Sequence, residues 1–297
     1  MHDKISLLPP VSEMMRDAGL EPKKSLGQNF LFDLNLTGKI ARSVPDIENT
    51  TVVEVGPGPG GLTRALLMAG AKHIIAIEKD RATAPILDAI AAASDGRLEI
   101  IYGDALKWFK EGIRNKEKGI RDKKKWAICS NLPYNIGTEL LIQWLHMMDS
   151  YSFFLIPCSL TLMFQREVAE RIVAKVGDAG YGRLSVLTAL VANAKILFNV
   201  PRTAFTPMPK VESAVVQIIP KNEKRKTKDE EDSFFVSRLS SLEKVERVSA
   251  KLFGQRRKMI RGIIPGVDWA KFGLTGTERA EELSPEKFSE LAAANVV

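Results

Sequence analysis

The sequence predicts an α/β fold: a doubly wound, largely parallel sheet followed by a small all-helical C-terminal domain. Three observations carry this expectation. Short β-branched runs alternate with helix-patterned segments between Thr51 and Asn131, the rhythm of consecutive βαβ units. Each run gives way to a glycine, an acid or an amide, namely Gly56, Glu78, Asp104 and Asn131. Right-handed crossovers gather such strand ends along one edge of a sheet. Finally, the run from Lys221 to Asp232 is charged and polar without one apolar residue, so it cannot join a core and reads as a linker. The expected division is an arm over 1–22, a main domain over 23–220, the linker over 221–233 and a helical domain over 234–297.

Taken in order, the arm contains Pro9-Pro10 and a weakly amphipathic segment, expected to pack loosely on the body. Lys23 to Leu31 follows as a basic, glycine-containing loop. Asp33 can cap a helix running to about Ser43, with Leu34, Ile40 and Ala41 among its buried positions. Thr51–Val55 is a strand entering Gly56-Pro57-Gly58-Pro59-Gly60-Gly61 and a helix over Leu62–Ala69. His73–Ile77 ends at Glu78 before the alanine-rich helix 81–93, and Arg97–Tyr102 ends at Gly103-Asp104. Lys110 to Lys125 carries eight Lys/Arg against three acids, a solvated face or a phosphate contact. Lys125–Cys129 is a short apolar run bounded by charge, a buried strand that delivers Asn131. Helices are expected over Thr138–Met147 and Arg166–Val176, and a strand within Phe153–Phe164. Leu184–Val191 and Lys195–Val200 continue the fold, and Ala214–Ile219 closes the sheet. In the tail, Ser284-Pro285 supplies an N-cap and a proline at the first position of a last helix.

Composition narrows the function classes. The 297 residues are 45% apolar and 27% charged, ordinary for a protein with a real core. A net charge of +7 and a pI near 9.3 favour a polyanionic partner. Cys129 and Cys158 lie in apolar surroundings, pointing to a reduced compartment without disulfides. His2, His73 and His146 are scattered without metal-ligand spacing, so no metal is expected. The first residues lack a signal-peptide pattern, and the longest apolar run is short and broken by Pro157. A cytoplasmic protein without membrane contact is therefore expected.

Gly56-x-Gly58-x-x-Gly61 fits the dinucleotide fingerprint, a weak signal when alone. Pro57 and Pro59 remove two backbone donors from a loop that would have to cradle a pyrophosphate. Glu54 places negative charge beside it. S-adenosylmethionine has no phosphate and carries a sulfonium and an ammonium, so an acidic rim suits it better. Glu78 can accept from both ribose hydroxyls, Asp104 from the adenine amine, and Asn29 or the backbone near Leu31 can hold the methionine end. A surface carboxylate is the plain alternative for each acid by itself.

Asn131-Leu132-Pro133-Tyr134 at a strand's carboxyl end suits the presentation of a planar exocyclic amine to an electrophile. The Asn131 oxygen and a neighbouring carbonyl, that of Leu132, can accept both amine hydrogens. Pro133 holds that carbonyl out of helical geometry, and Tyr134 offers a ring face to a nucleobase. An ordinary strand-ending turn is the alternative.

These residues resemble the ribosomal RNA small-subunit adenine N6,N6-dimethyltransferases, the kasugamycin-resistance family. The similarity runs from about Lys23 to Ala293. It includes Leu26-Gly27-Gln28-Asn29-Phe30-Leu31, Glu54-Val55-Gly56-Pro57-Gly58, Asn131 to Ile136, and Gln165 to Arg171. Further on it includes Tyr181 to Val186, Phe205 to Val216, Phe253 to Lys258 and Glu281 to Ser284. The resemblance implies a Rossmann-like class I S-adenosylmethionine methyltransferase domain acting on two adjacent adenines near the 3′ end of small-subunit rRNA. Its partner would be an immature small ribosomal subunit, met by a monomer. Cofactor contacts are implied at Gln28, Asn29, Leu31, Gly56, Gly58, Glu78, Asp104 and Asn131. Target-base contacts are implied at Asn131, Leu132, Pro133, Tyr134 and Phe205, with Phe205 closing the face opposite Tyr134. By charge alone, Lys23, Lys24, Arg256, Arg257 and Lys258 read either as phosphate contacts or as a solvated surface. The charged run 221–232 and Met208, where proline is commoner, depart from the family pattern. Two rivals are a large-subunit rRNA adenine methyltransferase of the macrolide-resistance type and a mainly non-catalytic RNA-binding assembly or transcription factor.

Overall fold

A computed structural model describes residues 4–22, 28–114, 125–150, 156–221 and 242–297. Residues 222–233 of the expected linker, the Lys23–Gly27 segment and most of the basic stretch before Lys125 lie outside the described residues. Two compact units emerge: Met1–Leu140 with Phe154–Arg166 and Ile196–Ile218, and Leu141–Phe153 with Glu167–Lys195 and Ile219–Val297.

Nine strands are found among the described residues: β1 (Phe30–Leu31), β2 (Thr51–Val55), β3 (His73–Glu78), β4 (Leu98–Tyr102), β5 (Trp126–Asn131), β6 (Leu160–Gln165), β7 (Ala192–Val200), β8 (Phe205–Thr206) and β9 (Ser213–Pro220). Seven form one sheet in the order β4-β3-β2-β5-β6-β9-β7. Pairing is parallel from β4 through β6 and antiparallel between β6 and β9, where Leu162 faces Val216. The expectation of a doubly wound sheet holds, with an antiparallel strand inserted near one edge. Strand order reverses between β2 and β5, and such switch points open a crevice at the strands' carboxyl ends. Every residue of β2 is buried, as expected of a central strand covered on both faces, and Glu54 is buried along with the valines.

Helices Gly61–Met68, Ala84–Ala93 and Ala105–Arg114 follow β2, β3 and β4. Asp33 accepts from the amides of Asn35 and Leu36, capping helix Leu34–Ala41, an arrangement worth about 1 kcal/mol. Leu34 corrects an expectation: at this helix start it is 56% exposed. The first turn projects it outward, and Thr37 and Gly38 take the buried face with Ile40 and Ala41.

The arm is also tighter than expected. Ile5, Val11 and Met15 are buried in the core of the first unit. Arg64, itself only 4% exposed, donates to the carbonyls of Ile5, Leu8 and Pro9. Burying a guanidinium is costly unless its donors find acceptors, and the arm's carbonyls take both terminal nitrogens, while Nε has no partner among the described residues.

In the second unit, the Phe253 ring stacks on Phe288 at 5.4 Å and meets Tyr181 edge-on at 5.9 Å. Tyr181 donates its hydroxyl to the Leu283 carbonyl at 2.8 Å. His146 bonds Glu246 at 3.0 Å, joining helix Gly137–Ser150 to the helix at 242–253. Ser284 caps helix Pro285–Ala293 as expected. No helix among the described residues is long and apolar enough to cross a membrane.

Candidate active site

The crevice at the switch point is a cleft walled by four stretches: Gln28–Leu31, the glycine loop, the ends of β3 and β4, and Asn131–Ile136. All eight expected cofactor residues line it, as do Leu132, Pro133 and Tyr134.

The glycine loop is built by close approach. Gly58 has φ +56, and a Cβ there would lie 2.8 Å from the Phe30 ring. A Cβ on Gly61 would lie 2.4 Å from the Leu31 carbonyl oxygen, so β1 and the loop touch backbone to backbone. Gly58 donates its amide to Glu78 Oε2 at 2.9 Å, and Asp80 donates to Glu78 Oε1 at 2.7 Å. Glu78 therefore shapes the loop as well as facing the cleft, and each oxygen keeps a further lone pair. Burial pushes its carboxyl above the usual range, against the pull of the Asp80, Gly58 and Lys79 amides. Gln28 donates to Asp80 at 3.2 Å, which ties the first wall to this turn.

Glu54 is 1% exposed and accepts from Thr63 at 2.6 Å. Burial raises its carboxyl to about 8, the Thr63 bond pulls it down, and the Glu78 charge raises it further. A cation entering here meets an acid whose ionisation it would favour. Asp104 does two jobs. Its Oδ1 caps helix Ala105–Arg114 through the amides of Leu106 and Lys107, and its Oδ2 takes Lys79 at 2.9 Å. Lys79 is the first reason this carboxyl sits below its ordinary range.

Across the cleft, Asn131 is the last residue of β5, one step past its buried run. Its Nδ2 donates to the Asn29 carbonyl at 3.0 Å, leaving Oδ1 as the acceptor side of the amide. The preceding Ser130 bonds the Val55 carbonyl at 2.6 Å and locks β5 to β2. The Pro133 carbonyl closes the turn by accepting from Ile136 and Gly137. Tyr134 is fixed through its hydroxyl to Ser213 at 2.7 Å. Ser213 and Thr63 carried no expected role. Ser213 sat inside a matching motif, whereas Thr63 looks like any helix residue.

Other expected residues lie elsewhere. Phe205 is 3% exposed within the core cluster and pairs with Leu31 across β1–β8; it is not among the cleft-lining residues. Arg256 ion-pairs with Glu281 and donates to the Ala179 carbonyl within the second unit. Arg257 and Lys258 are exposed. Lys23 and Lys24 lie outside the described residues. Among the described residues, no group of three or more His, Cys, Asp or Glu converges as a metal site.

The donor set fits S-adenosylmethionine rather than a dinucleotide. The cleft gathers carboxyl groups at the β2, β3 and β4 ends, and the Gly58 amide, a donor a phosphate would need, is already committed to Glu78.

A family model described as ribosomal RNA adenine dimethylase matches residues 19–291. A protein of Mesorhizobium japonicum called ribosomal RNA small subunit methyltransferase A is 48% identical over 288 residues, covering 96% of this chain and 97% of its own. Another of that name from Brucella melitensis is 48% identical and covers 98% of each chain. Among solved structures, a dimethyladenosine transferase from Plasmodium falciparum aligns with a TM-score of 0.65 at 23% identity, covering 88% of this chain and 95% of its own. The 23S rRNA methyltransferase ErmE aligns at 0.60 and 21%, over 90% and 99%. Both structural likenesses speak for the fold alone. On the evidence of the matched model and of relatives spanning its whole length, the chain belongs to the ribosomal RNA adenine dimethylase family.

Proposed function

We propose that the chain transfers methyl groups from S-adenosylmethionine to N6 of two adjacent adenines near the 3′ end of small-subunit rRNA, acting on an immature small subunit. The name shared by relatives at 48% identity supports the small subunit over the large. The carrying observation is the Asn131 amide, tied at Nδ2 to Asn29 and set in one cleft with Glu78 and Asp104.

S-adenosylmethionine, when bound, supplies the electrophilic methyl on a sulfonium. Glu78 would accept its ribose hydroxyls, Asp104 its adenine amine, and the Asn29–Leu31 wall would hold its methionine end. A target adenine splayed from the RNA stacks on Tyr134 and hydrogen-bonds through its amine to Asn131 Oδ1 and the Leu132 carbonyl. Adenine N6 is a poor nucleophile because its lone pair is delocalised into the ring. Two acceptors favour a more tetrahedral nitrogen as charge develops, a form of transition-state stabilisation. Phe205 backs Leu31 from the core, and serves as the opposite face only if its ring swings toward the base. Alignment for in-line attack matters more than a strong base, and the N6 proton leaves to water.

Asn131→Ala should lower transfer by roughly 10²–10³-fold, the scale for losing one preorganised transition-state contact, with thermal unfolding unchanged. The measurement is labelled-methyl incorporation into purified immature small subunits, large subunits and naked RNA, with the modified position mapped. Near-normal incorporation by the variant, or labelling of the large subunit instead, would overturn this reading.

A further inference from the structure

The six residues Pro207-Met208-Pro209-Lys210-Val211-Glu212 span between two walls of the cleft. On one side β8 pairs with β1, Thr206 with Phe30 and Phe205 with Leu31. On the other, Ser213 bonds the Tyr134 hydroxyl at 2.7 Å, and Glu212 ion-pairs with Arg166 at 3.1 Å while its carbonyl accepts from the Arg166 amide. Both anchors belong to the first unit. Between them the chain is neither helix nor strand, and Pro207 and Pro209 fix two of its φ angles and confine Met208 to extended geometry. On this stiff bridge Met208 is 56% and Val211 43% exposed, two of the eight exposed large apolar side chains among the described residues. Scattered exposed apolar residues are unremarkable. Two on one rigid six-residue bridge, clamped at both ends beside the ring expected to receive a base, call for a partner.

We propose that Met208 and Val211 form an apolar wedge that enters the RNA base stack where the target adenine leaves it, holding the gap open while Tyr134 receives the base. The proposal rests on the base-splaying step of the function above. Apolar side chains inserted between base steps offset the cost of unstacking them. Rigidity matters because an ordered bridge loses little entropy on insertion. Lys210, exposed between the two apolar tips, is placed to meet the backbone phosphate beside the gap.

The test compares the full chain with the M208S/V211S and M208L/V211I variants on unmethylated small subunits. A separate series, read for fluorescence only because 2-aminopurine has no N6 amine to methylate, carries that base at the target position so that its fluorescence reports unstacking. Wild type and the Leu/Ile variant should transfer methyl and raise the fluorescence. The double-serine variant should lose on the order of tenfold in transfer and most of the fluorescence rise at saturating enzyme, with cofactor Kd unchanged. Equal transfer by the serine variant overturns the wedge and leaves the function standing. Loss of subunit affinity with a full fluorescence rise at saturation also overturns it, since the bridge would then be docking on protein or backbone. No transfer to small subunits by the wild type removes the underlying function and the wedge with it.

Discussion

The two halves of the cleft are built on opposite plans. On the acid-lined half, the side chains expected to hold the cofactor are already bonded to the protein's own backbone. Glu78 takes the amides of Gly58 and Asp80, and Asp104 takes those of Leu106 and Lys107. On the base-facing half, the Asn131 oxygen and the Tyr134 ring line the cleft beside a bridge with exposed apolar tips. A small ligand of constant shape is served by a pocket rigid before it arrives. A folded RNA must be distorted at the moment of contact, so the surfaces acting on it stand outside the core.

Breaking the acid-lined half should have the larger effect on cofactor affinity and on stability. Glu78→Ala frees two buried amides, and bonds to a charged acceptor are worth about 1.5–3 kcal/mol each. Cofactor affinity, measured by calorimetry, should fall by roughly 100-fold and the melting temperature should drop. An unchanged Kd would show that the Gly58 loop keeps its shape without the carboxylate.

Gly58→Ala sharpens the contrast. The new Cβ meets Phe30 at 2.8 Å on a backbone with φ +56, strain of about 1–3 kcal/mol, and cofactor affinity should fall by about tenfold. Gly96→Ala is the control, since Gly96 has φ +77 with nothing within 4 Å of its Cβ position. It should lower stability by a similar strain while leaving cofactor affinity intact. Equal loss of affinity in both would mean that strain anywhere, rather than the loop's fit against Phe30, weakens the site.

The last effect concerns stability alone, through pH. Glu54 stands at about 8 in the fold against an ordinary 4.5, so the folded state holds a proton that the unfolded chain has released between those values. Its contribution is complete below about pH 4.5 and is lost as pH rises to about 8, because the unfolded state there binds fewer protons. Glu54→Gln should flatten the stability profile across that window in urea titrations. A slope identical to wild type would place the carboxyl in a better-solvated setting.

Much of this was legible along the chain. Strands β2, β3 and β5 are buried runs, whereas β4, at the sheet edge, buries only Leu98; the proline-flanked glycines and the Asn-Leu-Pro-Tyr turn fall where such runs stop. Periodicity and turn chemistry are local properties, so the residues themselves carry them. Which partner a side chain meets is a long-range matter. Arg64 binds carbonyls 55 to 59 residues away, Tyr134 finds Ser213 across 79, and β9 runs antiparallel to β6. Phe205 reads equally well as a base clamp or as core, and Arg256 as a phosphate contact or as the partner of Glu281. Local pattern sets which way most residues face, with Leu34 an exception; the identity of a residue's neighbour exists only once distant segments have packed, and that the tertiary structure alone decides.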